Sequence, residues 1–306
     1  MKSIVPVLTV LCAVLMIWVV CVIPMNAHLT ADQAQRDGLV LEPDTPIARQ
    51  ELVGLTLALK NPQIIPLTFT QERPRLPSPH QVAAELWDTV ALKRPTSNRS
   101  LVYHGWVTLS ATLLGFVIGT TLGILLAVGI VFSRTMDKSV MPWAITSQTI
   151  PILALAPMII VMLGAIGIQG LLPKSVISAY LSFFPVVVGM VKGLRSPDAM
   201  QLDLLRTYNA NASQGFWKLR LPASVPYLFA SLKIGISAAL VGAIVGELPT
   251  GARAGFGARM LVGDQYGQPL VTWAALFAAA ITAALLIVII NMIERGTLRR
   301  MGMKAT

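Results

Sequence analysis

Six stretches of the chain are apolar over lengths near the ~20 residues that carry a helix across a bilayer. They run from about Ile4 to Ile23, Trp106 to Phe132, Val140 to Leu163, Ser175 to Val191, Ser224 to Gly246 and Thr272 to Met292. The pattern predicts six transmembrane helices and an all-α membrane protein. A different pattern follows Ser78-Pro79. Val82, Ala83, Leu86, Trp87, Val90 and Ala91 recur at helical spacing, with Glu85 and Asp88 opposite. That spacing predicts an amphipathic helix, either lying on the outer membrane surface or packed on the rest of the protein. Ser78 is placed to cap it, with Pro79 at the first helical position. The preceding Arg73-Pro74-Arg75-Leu76-Pro77 reads as an extended linker. The chain thus divides into a first transmembrane helix (1–24), an outer segment (25–100) and a transmembrane core (101–302) that contains a polar loop (195–222).

Composition supports the membrane assignment. Of the 306 residues, 55% are hydrophobic and 12% charged, about half the charged share of a soluble domain. The net charge of +10 would raise nucleic acid as a partner for a soluble protein. No nucleic-acid motif is present, however, and a membrane protein collects Lys and Arg in its short cytoplasmic loops. The partner implied is the lipid bilayer, with no nucleic acid.

Those basic residues also predict orientation. Arg134 and Lys138 separate spans two and three. Lys192, Arg195, Arg206, Lys218 and Arg220 separate spans four and five, and Arg295, Arg299, Arg300 and Lys304 follow span six. All three groups share one side if both termini are cytoplasmic. Arg253 and Arg259 run against the rule. Lys2 before the first apolar run resembles the start of a signal peptide, but a signal core is only about 7–15 residues. The run here is longer, and the expectation is a retained helix. Cys12 and Cys21 share that helix, about 13.5 Å apart along its axis, and are not expected to pair.

An enzyme is not expected. There is no G-x-x-x-x-G-K-[ST] phosphate loop, no G-x-S-x-G elbow and no metal-ligand spacing around His28, His80 or His104. Catalytic residues, metal and cofactor are all expected to be none, so any ATP used would be hydrolysed by a separate chain.

The loop between spans four and five carries the most information. Asp203 is suited to cap or charge-match a helix N-terminus. Asn209 tolerates the left-handed conformation that ends a helix. A short polar piece, Ala210 to Gly215, follows. Leu219 and Leu221 are apolar anchors, and Pro222 is suited to open the fifth span. The elements predicted are helix, turn and helix.

This loop resembles the EAA loop of binding-protein-dependent ABC importer permeases, whose pattern is Glu-Ala-Ala, three residues, Gly, nine residues, Ile, one residue, Leu-Pro. Asp203-Leu204-Leu205 stand at Glu-Ala-Ala, Asn209 at Gly, Leu219 at Ile, and Leu221-Pro222 at Leu-Pro. The two leucines for alanines are the clearest departure. Leu76-Pro77-Ser78-Pro79, the run Gln148 to Pro157 with Gly164, and Gly246-Glu247 with Gly255-Phe256-Gly257 are similar to segments of the nitrate/sulfonate/taurine-type permeases. The resemblance spans about 76–302; the stretch from Met25 to Arg75 is longer than that family requires.

The resemblance implies a type I importer permease fold and half of a translocation path for a small polar or anionic solute such as a sulfonate, nitrate or thiamine precursor. It implies two ABC ATPase subunits, a second permease copy or sister permease, and a periplasmic substrate-binding protein. It also implies a bacterial inner-membrane location. The coupling segment would be Ala210, Asn211, Ala212, Ser213, Gln214, Gly215, Phe216 and Trp217. Phe216 or Trp217 would be the apolar anchor on the ATPase, or else both pack under their own loop.

Gln148, Thr149, Pro151 and Glu247 are candidates to line the path, since polar groups at depth tend to be functional. Glu247 is equally readable as a solvated carboxylate near the outer interface, and Lys233 as a snorkelling side chain. Pro151, Pro157 and Pro185 are candidate kinks. Gly115, Gly119, Gly123 and Gly129 read as close helix packing. The alternative function is an ion-gradient-driven secondary transporter, which would be expected to show internal repeats and charged midplane residues.

Overall fold

The computed structural model describes residues 4–249, 252 and 254–302, and among them all regular structure is helical. Lys2, Arg253 and Lys304, which enter the charge pattern, lie outside the described residues. The chain forms two compact units, Met1–Val102 with Arg259–Ala278 and Tyr103–Ala258 with Ala279–Thr306.

The first unit is built on α1 (Ile4–Arg36), which continues beyond the apolar run expected to end near Ile23. Its second half stays helical because Ala27, Ala31 and Ala34 form one small-residue seam. Three short helices, α2 (Pro46–Gln50), α3 (Gly54–Lys60) and α4 (Ile65–Thr68), follow. Leu41, Leu57, Ala58 and Ile64 bury themselves against the seam. Gly54 lies on the Pro24 carbonyl, where a Cβ would overlap it.

Two buried asparagines hold the connecting chain. Asn26 Nδ2 donates to the carbonyls of Thr68 (3.1 Å) and Leu76 (2.9 Å), and the Leu76 N–H donates back to Asn26 Oδ1 (3.1 Å). Asn61 exchanges the same kind of pair with Glu42. Each amide satisfies backbone groups that a loop would otherwise leave unpaired. The Pro-rich linker is therefore pinned, and Trp18 Nε1 donates to the Pro77 carbonyl beside it (2.9 Å).

Ser78 and Pro79 begin α5 (Pro79–Trp87) as expected, with Gln81 Oε1 accepting from the Ser78 N–H at 3.1 Å. The next turn, residues 88–92, widens to a π turn. Val82 and Thr89 are buried, whereas Trp87, Val90 and Leu92 are exposed. Arg259, one of the two charges that break the positive-inside pattern, belongs to this unit. Burial lowers its pKa, and the Glu85 carboxylate opposes that shift.

The second unit contains most of α6 (Leu101–Phe132), then α7 (Arg134–Ser147), α8 (Ile152–Ala165), α9 (Leu171–Leu194), α10 (Ala199–Thr207), α11 (Ala212–Gly215) and α12 (Leu221–Glu247). Beyond these come α13 (Phe256–Gln265) and α14 (Pro269–Arg300). Among the described residues, five helices are long and apolar enough to cross a membrane: α1, α6, α9, the continuous run Ala212–Glu247, and α14.

The expected third span, Val140 to Leu163, is not one straight helix. It is the pair α7 and α8, bent by 100° at Gln148–Pro151, and the crossings number six if the pair counts as one. Pro151 lacks an N–H and forces Ile150 out of the helical region, which is sufficient to break the ladder. Each half has 14 residues, about 21 Å of helix, too short to cross alone.

Helices α9 and α12 pack along their length, with α6 against α9. Gly115, Gly119 and Gly123 lie on Ser178, Ser182 and Val186, so close that a Cβ at any of them would overlap its neighbour. Close backbone approach of this kind replaces the hydrophobic drive that lipid cannot supply. Gly129 faces only the Met136 side chain. Ser178 Oγ donates across to the Ala239 carbonyl (2.7 Å). Lys233 does not simply snorkel, because Glu294 pairs with it at 2.6 Å.

Candidate functional site

The loop expected to carry function lies at one end of the α9/α12 pair. Its first helix begins earlier than Asp203. Asp198 is the N-cap, its side chain accepting from the Met200 N–H (3.0 Å), with Gln201 completing the capping box. Asp203 instead sits inside α10 and binds Arg206 at 3.1 Å, three residues on. The capping expectation for Asp203 is therefore corrected: Ser196-Pro197-Asp198 already stops the chain and supplies the cap.

The end of α10 follows the expectation for Asn209. Its φ is 52°, and among the described residues it is the only one other than glycine with positive φ. The Asn209 N–H donates to the Arg206 carbonyl (2.9 Å) and the Ala210 N–H to the Leu205 carbonyl (3.0 Å), a Schellman closure. We expect Asn209→Val to weaken this closure by about 1–2 kcal/mol, because a β-branched residue is strained in the left-handed region. Asn209→Gly should leave it intact. Hydrogen–deuterium exchange across 207–212 should accelerate in the valine variant only; equal exchange in all three proteins would refute the assignment.

Asn211 then caps α11, accepting from the Gln214 N–H (2.8 Å), while its own N–H donates to Gln214 Oε1 (3.0 Å). Pro222 stands in the first turn of α12, as expected, although no break in the helical backbone precedes it. Helical backbone runs on from Ala212 to Glu247, passing through a π turn at Phe216–Arg220. The wide turn accommodates the missing Pro222 N–H without ending the helix.

The structure separates the two aromatics. Phe216 is half-buried, edge-on to Phe132 with centroids 5.6 Å apart, and packs on the core of α6, α7 and α9. Leu221 packs on the same core, and Leu219 is also half-buried. Trp217 points outward, 64% exposed, as do Leu204 and Tyr208. Asp203, Asn209, Asn211, Ala212, Ser213 and Gln214 are also exposed. A cavity of about 280 Å³ lies under the turn, lined by Leu205, Ala210, Ala212 and Gly215 among others. Arg220 donates to the Leu194 carbonyl (2.8 Å), tying the loop to the end of α9.

The path candidates do not form one cluster. Gln148, Thr149 and Pro151 occupy the α7–α8 elbow, with Thr149 bonded to the Thr146 carbonyl (2.8 Å) and Gln148 to Ser147 Oγ (3.4 Å). Glu247 lies at the far end of α12. Because α9 and α12 are antiparallel, that end is beside the start of α9, 24 residues or about 36 Å from the loop. The reading of Glu247 as a solvated carboxylate is corrected: it is fully buried. Thr108 Oγ1 donates to Oε1 at 2.9 Å and the Gly257 N–H to Oε2 at 2.8 Å, while Lys174 Nζ stands 3.9 Å from Oε1.

Thr108 in turn accepts from the Phe256 N–H (2.8 Å), and His104 Nδ1 from the Gly255 N–H (3.0 Å). Gly255 has φ 126°, and a side chain there would overlap the carboxylate. His104, Thr108 and Lys174 were missed by sequence reasoning. The repeat His104, Thr108, Thr112 at spacing four was a legible polar stripe on one face of α6.

Apolar spans and small-residue seams define a multi-pass membrane protein. Residues 119–302 match the family described as "Binding-protein-dependent transport system inner membrane component", and the chain belongs to that family. A probable ABC transporter permease protein of Haemophilus influenzae is 33% identical over 200 residues, covering 65% of this chain and 76% of the relative. The formylaminopyrimidine transport permease protein of Halalkalibacterium halodurans is 32% identical over 183 residues, covering 60% and 68%. A putative aliphatic sulfonates transport permease protein of Bacillus subtilis is 26% identical over 196 residues, covering 64% and 69%. The protein is a permease component of a binding-protein-dependent ABC importer in the inner membrane, and the ion-gradient alternative is set aside.

Proposed function

We propose that this chain supplies half of the translocation path for a small polar or anionic solute and couples it to ATP hydrolysis on separate subunits. The partners are two ATPase chains, a second permease copy or sister permease, and a periplasmic binding protein that selects the solute. Both termini and the 195–222 loop face the cytoplasm, and the chain itself has no catalytic role.

The observation that carries this reading is the loop. A Schellman turn at Asn209 and a capped helix at Asn211 fix a short segment whose root, Phe216, is packed, while its neighbour Trp217 stands exposed. An exposed tryptophan beside a packed aromatic, in a loop rich in polar residues, suits a binding hot spot. The relatives' names, which mention formylaminopyrimidine and aliphatic sulfonates, support a small solute with a heterocyclic or anionic group.

In the proposed cycle, closure of the ATPase pair pulls on this segment. Arg220 and the continuous helix from Ala212 to Glu247 pass the motion to the far end of the span. A mild-detergent pull-down of the tagged chain tests the reading. We expect an ATPase with a phosphate loop among the recovered proteins. A chain recovered alone that still transports without ATP would overturn it.

A further inference from the structure

A cavity of about 500 Å³ opens at the end of the second unit opposite the coupling loop. Its walls come from the start of α6 (Tyr103, Val107), the end of α8 and following turn (Ile160, Ile168, Gln169), and the start of α9 (Gly170, Lys174). That volume is in the range of small-molecule sites.

Among the described residues that line it, Lys174 is the one with a charged side chain. It lines the cavity yet is only 7% exposed. Among the described residues, its Nζ has one partner, Glu247 Oε1 at 3.9 Å, beyond hydrogen-bond distance. An ammonium has three donors, and burial without acceptors is costly. Glu247 does not share the cavity surface: it is fully buried behind Lys174, with Thr108 and Gly257 donating to it. The pair therefore turns its positive end to the cavity. Gly170, which begins the 24-residue α9 without a side-chain cap, lies in the same wall. The positive end of that helix dipole adds to the field. Tyr103 and Gln169 offer hydrogen bonds, while Val107, Ile160 and Ile168 offer apolar surface.

We infer that this cavity is a subsite for the anionic group of a small organic solute, a sulfonate, carboxylate or phosphate, held by Lys174. The inference rests on the importer reading and deepens it, because the cavity is at the end away from the ATPase-facing loop, where a binding protein would release its cargo. An anionic lipid headgroup has the same chemistry, and the test separates the two.

The experiment uses the full chain with its co-purified ATPase, in nanodiscs, with Cys12→Ala and Cys21→Ala removing the native thiols. A reporter thiol is placed in the cavity by Ile168→Cys, and a control thiol on the exposed outer segment by Val40→Cys. Each is labelled with an anionic and a cationic methanethiosulfonate. The cavity thiol should favour the anionic reagent about tenfold over the control, the low end of focusing in a charged cleft. Lys174→Gln should abolish that preference and Lys174→Arg should keep it.

Sodium ethanesulfonate, as the probe anion, should slow labelling by a neutral methanethiosulfonate when Lys174 is present and not in Lys174→Gln. No preference, a preference indifferent to Lys174→Gln, or no protection by ethanesulfonate would each overturn the assignment. Loss of the preference when phosphatidylglycerol is added to phosphatidylcholine discs would give the site to lipid headgroups and also overturn it. Failure to recover the ATPase sinks the importer reading instead. Should Lys174→Gln not fold, protection of the Lys174 protein by ethanesulfonate still decides.

Discussion

Trp217→Ala should reduce the ATPase recovered with the tagged chain roughly 30-fold, the loss of about 2 kcal/mol that truncating a hot-spot tryptophan brings. The size of the effect follows from what the side chain does in the free subunit. Trp217 is 64% exposed, so its own fold loses little when the ring is removed. Phe216 is the opposite case. It packs on the core beside Phe132 and Trp217, and because it is only half-buried, Phe216→Ala should lower stability by about 1–3 kcal/mol, less than a fully buried truncation. It should weaken ATPase recovery only through loss of the folded loop.

The two variants thus separate docking from folding. If Trp217 is merely an interfacial aromatic at the headgroup level, ATPase recovery will be unchanged by its removal, and the coupling assignment fails. Trp217→Phe gives a graded control, because a smaller ring retains part of the buried area.

The loop was legible because its information is local. Asn209 ends a helix through its own backbone preference, and Asn211 caps the next through its own side chain. Neither depends on distant partners. Asp203 misled for the same reason: a local signal was available, but Asp198 stood five residues earlier with a better-placed Gln201. The π turn before Pro222 was not legible, since a proline is compatible both with starting a helix and with a widened turn inside one.

The spans were visible as runs of apolar residues, while the bend in the third was visible only as Pro151. How far a proline bends its chain depends on what packs around it, and here the break reaches 100°. The segment from Met25 to Ser100 was the least readable. Asn26 and Asn61 organise it through bonds to residues 19 to 50 positions away, a separation that no periodicity records.

The same contrast applies to Glu247, for which the second large effect is expected. From sequence it was one carboxylate near the end of a span. In the structure it joins α6, α9, α12 and the turn at Gly255–Gly257, with Thr108, Lys174 and the Gly257 N–H all aimed at it. Glu247→Leu keeps much of the volume but leaves Lys174 buried without its counter-charge. It also leaves the Gly257 N–H without its acceptor. Breaking one side of a buried pair costs about 3–5 kcal/mol, so this variant should unfold at markedly lower temperature in detergent.

Glu247→Gln can still accept from Gly257 and Thr108, and its loss should be smaller, about 1–3 kcal/mol. The decisive comparison is the cycle with Lys174→Met. If the damage comes from an uncompensated charge, the double variant Lys174→Met/Glu247→Leu should be more stable than Glu247→Leu alone. Additive losses would mean that the carboxylate stabilises the fold independently of Lys174. A Glu247→Leu protein as stable as the unaltered chain would show that the turn at Gly255–Gly257 is held by something other than this carboxylate.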